Sequence, residues 1–413
     1  MSERKHNYAG GPGARYWLLG SALFLTAFGL VMIYSASSIT ALAKDGNSWI
    51  YLLKQLAFIS VGWVIAVVIG RLDYRLLKGR WTWAWGASIA LLIAVLLMGF
   101  ASHGAQRWIP LGFFNLQPSE LAKVACVLVA AALAHDWQRG RLSRRDFLTR
   151  TAVLTGVPAV LIMAQPDMGT TATLIVAVVI VLILAGIDLK WVFGSAAILV
   201  ALGVVFVTSS TYRMERVTGF MNPWADPADK GYQTIQALYA FGSGGIDGVG
   251  LGLSRQKFFY LPEAHTDFIF AIIGEEAGLI GTMAIVIGFC IFVWAGFRIA
   301  TGARDGFGKL LAGGLTGMLA FQAVINMAAV TGMMPVTGKP LPFVSYGGSS
   351  MLVTMIALGL LLSVSENGTR APRAVRSRPI PEEHAREGSR DRRRDGGSHL
   401  PRTDRGRATR RRA

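Results

Sequence analysis

MGTTATLIVAVVIVLILAGI, residues 168–187, is twenty consecutive positions without one charged side chain. A helix of that length rises roughly 30 Å, the thickness of a bilayer's hydrocarbon core. Tyr16 to Tyr34 and Trp81 to Phe100 are equally free of charge. Such runs read as membrane-spanning helices. The whole composition agrees: 53% of the 413 residues are hydrophobic and 16% charged, against about 25% charged in soluble domains. A soluble enzyme is excluded.

Working outward, ten spans are expected, at about 16–36, 50–70, 81–100, 119–135, 151–165, 168–187, 191–209, 268–297, 309–331 and 347–365. The expected fold is an all-α polytopic membrane protein, with residues 1–15 as a short N-terminal segment and 16–366 as the membrane domain. Loop charges orient it, because short cytoplasmic loops collect Lys and Arg. Residues 71–80 hold four such side chains and 138–150 hold five; 37–49 has only Lys44 and 101–118 only Arg107. Both termini are then cytoplasmic. The two cysteines, Cys126 and Cys290, lie in apolar runs, so neither a disulfide framework nor a Cys-rich metal site is available. No secretory cleavage pattern precedes the first span, which reads as an anchor.

The net charge of +17 is uneven: residues 367–413 alone carry 15 Arg against 6 acids. This tail reads as disordered and cytoplasmic, suited to anionic lipid or to a cytoskeletal division protein. It has no aromatic residue to stack on a base, so no nucleic acid is expected. On the other side, the 57-residue loop 210–266 is rich in aromatics and reads as a packed functional element, with a short interfacial helix over 230–241.

Ionisable groups at span mouths are the first candidates for chemistry, because a charge in a membrane is costly. Asp267 precedes the apolar run FIFAII and sits where a span meets water and head groups. It reads equally well as an N-cap and as a functional carboxylate. Glu275 and Glu276, eight and nine residues on, read as structural partners. Glu120 and Lys123 share a helical face and read as an ion pair; Asp167, between Pro166 and Met168, reads as a helix cap. GSGGIDGVGLG (242–252) lacks the Gly-Lys-Ser/Thr ending of a P-loop and lies on the wrong side for ATP. His265 stands without His or Cys partners at zinc spacing.

The stretch from Asn222 to Glu276, ending HTDFIFAIIGEE, resembles the SEDS family of bacterial shape, elongation, division and sporulation proteins. So do QPDMGT (165–170), GAQRWIPLG with QPSE (104–120) and PLPFVSYGGSS (340–350). The likeness spans about residues 16–366 and leans toward the division branch more than the elongation branch. The Arg-rich tail is reminiscent of actinobacterial members. The resemblance implies a glycosyltransferase that polymerises lipid II outside the plasma membrane, at the septum, beside a class B penicillin-binding protein and other divisome proteins. It implies Asp267 as the catalytic carboxylate. A sugar hydroxyl must attack an anomeric carbon whose leaving group is a lipid diphosphate, and a positioned base gives about 10²–10⁴-fold. Arg213, Arg216, Arg255, Lys257 and Lys339 are the cations expected near the diphosphate, with Glu263 and His265 beside the sugar. No resident cofactor is implied, although Mg or Mn could meet the diphosphate. An α-linked donor giving a β-linked polymer needs one inverting displacement and one carboxylate. The rival readings are a lipid II flippase, whose site would sit nearer the midplane, an elongation-type polymerase, and a divisome scaffold.

Overall fold

The computed structural model describes residues 12–102, 105–112, 114–191 and 218–369, with isolated positions 194, 208 and 214 between the last two stretches. Among these, nine helices are long and apolar enough to cross a membrane. The expected seventh span, 191–209, and the Arg-rich tail lie outside the described residues, as do Arg213 and Arg216.

The first helix, α1, runs Pro12–Asp45, and α2 runs Ile50–Arg71. A single turn, α3 (Arg75–Lys78), leads to α4 (Trp81–Met98). A small antiparallel sheet follows where a loop was expected: β1 (Phe100–Ser102), β2 (Ala105–Pro110) and β3 (Asn115–Leu116), in that spatial order. It pairs Ser102 with Ala105 and Ile109 with Leu116. Pro118 then opens α5 (Pro118–Gln138), placed at a first-turn position that needs no N–H donor. Two caps start the next pair. Ser143 accepts from the Asp146 N–H to begin α6 (Arg144–Ala164), and Asp167 accepts from the Thr170 N–H to begin α7 (Met168–Ala185).

Beyond a 3₁₀ turn at Pro223–Ala225 comes α8 (Tyr232–Gly244), close to the expected interfacial helix. It packs on α9 (Ile269–Gly302). Then follow α10 (Gly306–Val330), capped by Asp305 on the Gly308 N–H, and α11 (Gly348–Thr369). Helix α5 is buried along nearly its whole length, with α10 and α11 against it. Helices α2 and α6 turn Val61, Val64, Val68, Val153, Val157 and Val160 outward. Water disfavours such faces and lipid tails do not. This is a multi-pass membrane protein.

The expected span 268–297 is in fact broken. Gly278 has φ 62° and ψ −158°, far from helical values, and splits α9 into a nine-residue arm and a long span. A break inside a membrane helix is tolerated where other groups take up the freed backbone bonds. Here the glycine-rich segment does so. Leu279 and Ile280 donate to the carbonyls of Gly245 and Ile246, while Val249 and Gly250 donate to those of Glu275 and Glu276. The approach is so close that a Cβ on Gly248 would lie 2.2 Å from the Glu276 carbonyl oxygen. Only glycine fits there, and likewise at Gly244, where a Cβ would lie 1.9 Å from the Gly274 carbonyl oxygen.

Candidate functional site

One end of the bundle gathers the α4–α5 sheet, the α6–α7 turn, residues 245–268 and the loop 331–347 between α10 and α11. Most of its carboxylates are already engaged. Glu276 accepts from Ser35 Oγ at 2.6 Å, from the Ser254 N–H at 3.3 Å and from Lys257 Nζ at 3.0 Å. Glu275 accepts from Ser254 Oγ, from the Arg255 N–H at 2.9 Å and from the Gln256 N–H at 3.3 Å. Together they fold residues 254–257 onto the short arm of α9. Lys257, expected near the diphosphate, is therefore corrected to an internal partner: its side chain is 3% exposed.

Asp167 does more than cap α7. Its carboxylate accepts from Lys339 Nζ at 2.8 Å, from Thr170 Oγ1 at 2.7 Å and from Gln117 Nε2 at 3.1 Å. Lys339 is 2% exposed, so it too is corrected from a diphosphate-facing cation to a structural one. Burial works to raise the pKa of the Asp167 carboxyl, but Lys339 and Arg107 outweigh it and hold the value down to about 2. Arg107 also donates to the carbonyls of Gln165 and Pro166, the first at 3.0 Å, tying the sheet to this turn. Below them, Lys123 Nζ lies 3.0 Å from Glu120 and donates to Gln322 Oε1 at 2.6 Å; Gln322 Nε2 donates to the Pro340 carbonyl at 3.1 Å. Thus two buried ion pairs end on the one loop that carries Lys339.

Asp267 is set differently. It is half-buried, and the helix cap position falls on Phe268, one residue later, which supplies no side-chain cap. The N-cap reading of Asp267 is thereby corrected: the turn before α9 winds one residue further than the apolar run suggests. The turn is held by the Glu263 carbonyl, which accepts from the N–H groups of Thr266 and Phe268. Glu263 itself is exposed and has φ +54°. Asp267 borders a small cavity of about 10 Å³ with Phe268, Asn326, Thr337, Gly338 and Lys339. A Cβ on Gly338 would sit 3.4 Å from Asp267 Oδ2.

His265 packs against Tyr51 and Tyr346, its ring centroid 4.9 and 5.6 Å from theirs. Burial lowers its pKa from the ordinary imidazole value, opposed by Glu263 and aided by Lys44. Arg255 remains exposed. Among the described residues no three His, Cys, Asp or Glu side chains converge as a metal cage. The Mg or Mn expected beside the diphosphate has no preformed pocket in this set, and the chemistry proposed has no step through it.

Sequence reasoning missed Arg107, Gln117, Gln322 and Asn326. None sits in a charged cluster along the chain, and their partners lie far away in sequence. A polar side chain inside an apolar run was the available signal for Gln322 and Asn326.

A profile of cell cycle proteins of the FtsW, RodA and SpoVE type matches residues 16–370. The chain belongs to this family. The SEDS likeness read from the motifs is therefore borne out. A probable peptidoglycan glycosyltransferase FtsW of Trichlorobacter lovleyi is 46% identical over 360 residues, covering 86% of this chain and 94% of that one. Stage V sporulation protein E of Bacillus subtilis is 40% identical over 352 residues, covering 83% and 94%. Among solved structures, a chain of a peptidoglycan synthase complex that coordinates polymerization and crosslinking superposes with TM-score 0.72 at 30% identity, covering 86% of this chain and 98% of its own. Thermus thermophilus RodA superposes with TM-score 0.64 at 27% identity, covering 86% and 97%. These relatives lend no support to the actinobacterial likeness of the tail.

Proposed function

We propose that this chain polymerises lipid II at the outer face of the plasma membrane during septal wall synthesis, with Asp267 as general base. That it is a peptidoglycan glycosyltransferase follows from its family and from FtsW relatives at 40–46% identity over most of its length. The observation that carries the assignment to Asp267 is a contrast in burial. Asp167, Glu120, Glu275 and Glu276 are fully buried, whereas Asp267 is half-buried and borders a cavity beside the 336–340 loop.

In this reading Asp267 takes the proton from the acceptor sugar hydroxyl as its oxygen bonds to the anomeric carbon of the donor. The bond from that carbon to the lipid diphosphate breaks, and the configuration inverts. A diphosphate leaves without a strong general acid but needs positive charge nearby. With Lys257 and Lys339 turned inward, Arg255 is the exposed cation of the candidates within the described residues, and Arg213 and Arg216 complete the set. The basic loops 71–80 and 138–150 lie at the opposite end of the bundle, and the positive-inside rule then supports an outer position for this site. A class B penicillin-binding protein is the partner, by analogy with the synthase complex. A divisome scaffold would not need the carboxylate at all.

The test is purified protein with lipid II, with and without the cognate penicillin-binding protein. Asp267→Asn should insert, purify and bind its partner as wild type does, yet polymerise at least about 10²-fold more slowly, the low end for a lost base. Normal strand synthesis by this variant would remove Asp267 from the chemistry.

A further inference from the structure

On α10, Gln322 and Asn326 are one turn apart and face the same loop. The side-chain nitrogen of Asn326 donates twice, to the Asp267 carbonyl at 2.8 Å and to the Lys339 carbonyl at 2.7 Å. Carbonyl oxygens only accept, so this pair fixes which way the amide points. The NH₂ faces the two backbones, and Oδ1 faces away from them. Asn326 is 2% exposed, it lines the cavity shared with Asp267, and its Oδ1 has no protein partner among the described residues.

One amide therefore joins the backbone of the proposed base to the loop that Asp167 and Gln322 hold in place through Lys339 and Pro340. We infer that Asn326 is a positioning residue: it sets the place of Asp267 relative to the 336–340 loop. The inference rests on the reading of Asp267 as the base. The short arm of α9 has no side-chain cap, and the other tie between this turn and the 331–347 loop is a backbone bond two residues away, from the Tyr346 N–H to the His265 carbonyl. A displacement of about 1 Å at a reacting group can cost about 10²-fold in rate. Releasing the tie acts on the chemical step more than on lipid II capture, because the cavity is far smaller than the substrate.

The experiment is a double-mutant cycle on the full chain with its partner, using lipid II as substrate. Asn326→Ala is expected to keep the wild-type elution profile and partner binding, to lower kcat at least about tenfold, and to leave KM within about threefold. Added to Asp267→Asn it should change the residual rate by less than about twofold, since a group that acts through Asp267 has nothing left to position. A smaller fall in kcat, a fall confined to KM, or a further loss in the Asp267→Asn background each overturns the inference. If the alanine variant cannot be purified folded, Asn326→Ser, which keeps one of the two donors, carries the same test with an intermediate loss expected. If Asp267→Asn is itself fully active, the base assignment fails. If Asp267→Asn is slow and Asn326→Ala is not, only the positioning role fails.

Discussion

At Lys339 and Asp167, charge buried at a membrane surface becomes loop position. Removing one partner of a buried pair leaves an uncompensated ion and costs about 3–5 kcal/mol, more than the pair itself contributes. Lys339→Met should therefore lower thermal stability in detergent markedly, and Lys339→Met with Asp167→Asn should recover much of the loss. If the double variant is as unstable as the single, the pair is not what holds the loop. The pH dependence has a definite sign. With its folded value near 2 against about 3.9 in an unfolded chain, Asp167 contributes stability above about pH 4 that fades as pH falls toward 2. Wild type should lose stability more steeply than Asp167→Asn between pH 5 and 3, and parallel curves would refute this. Of the site residues, the single-letter pattern showed Asp267, Glu275 and Glu276 because they punctuate an apolar run. It could not show that Lys339 meets a carboxylate 172 positions earlier, since only the folded bundle brings them together.

At the scale of elements, the runs of apolar residues were enough to mark nine spans, because length and absence of charge are local properties. The break in α9 was not legible. FIFAIIGEEAGLIGTMAIVIGF is interrupted by Glu275 and Glu276 but carries no helix-breaking pattern beyond glycines, and the reason for the break lies in another segment. The clue was present in two halves, a glycine inside the span and glycines in residues 242–252, with nothing local to join them. Gly248 has φ +82°, and a Cβ there would meet the Glu276 carbonyl. Gly248→Ala should push the glycine-rich segment off the short arm, lowering both stability and polymerisation, whereas Gly242→Ala, with open space around it, should be tolerated. Hydrogen exchange at Val249 and Gly250 measures the difference directly. Unchanged protection in Gly248→Ala would show that the segment is held elsewhere.

For the whole molecule, the orientation proposed from loop charge can be tested without activity. Cys introduced at Asp247, exposed at the site end, should react with an impermeant reagent in intact cells. Cys at Ser143, at the other end beside Arg144 and Arg145, should react only after permeabilisation. The opposite pattern would place the site in the cytoplasm and end the case for wall synthesis there.

The spacing of the two internal pairs along the chain has a consequence in time. Lys257 precedes Glu276 by only 19 residues, so the two leave the ribosome nearly together. Asp167 must wait 172 residues for Lys339, which at about 5–20 residues per second is roughly 10–35 s of translation. Through that interval its company is Gln117, Thr170 and the start of its own helix. The loop beside Asp267 can lock only once Lys339 itself has been made. A nascent chain halted before Lys339 thus holds Asp167 without its counter-charge, and the loop beside the proposed base waits unlocked until that residue arrives.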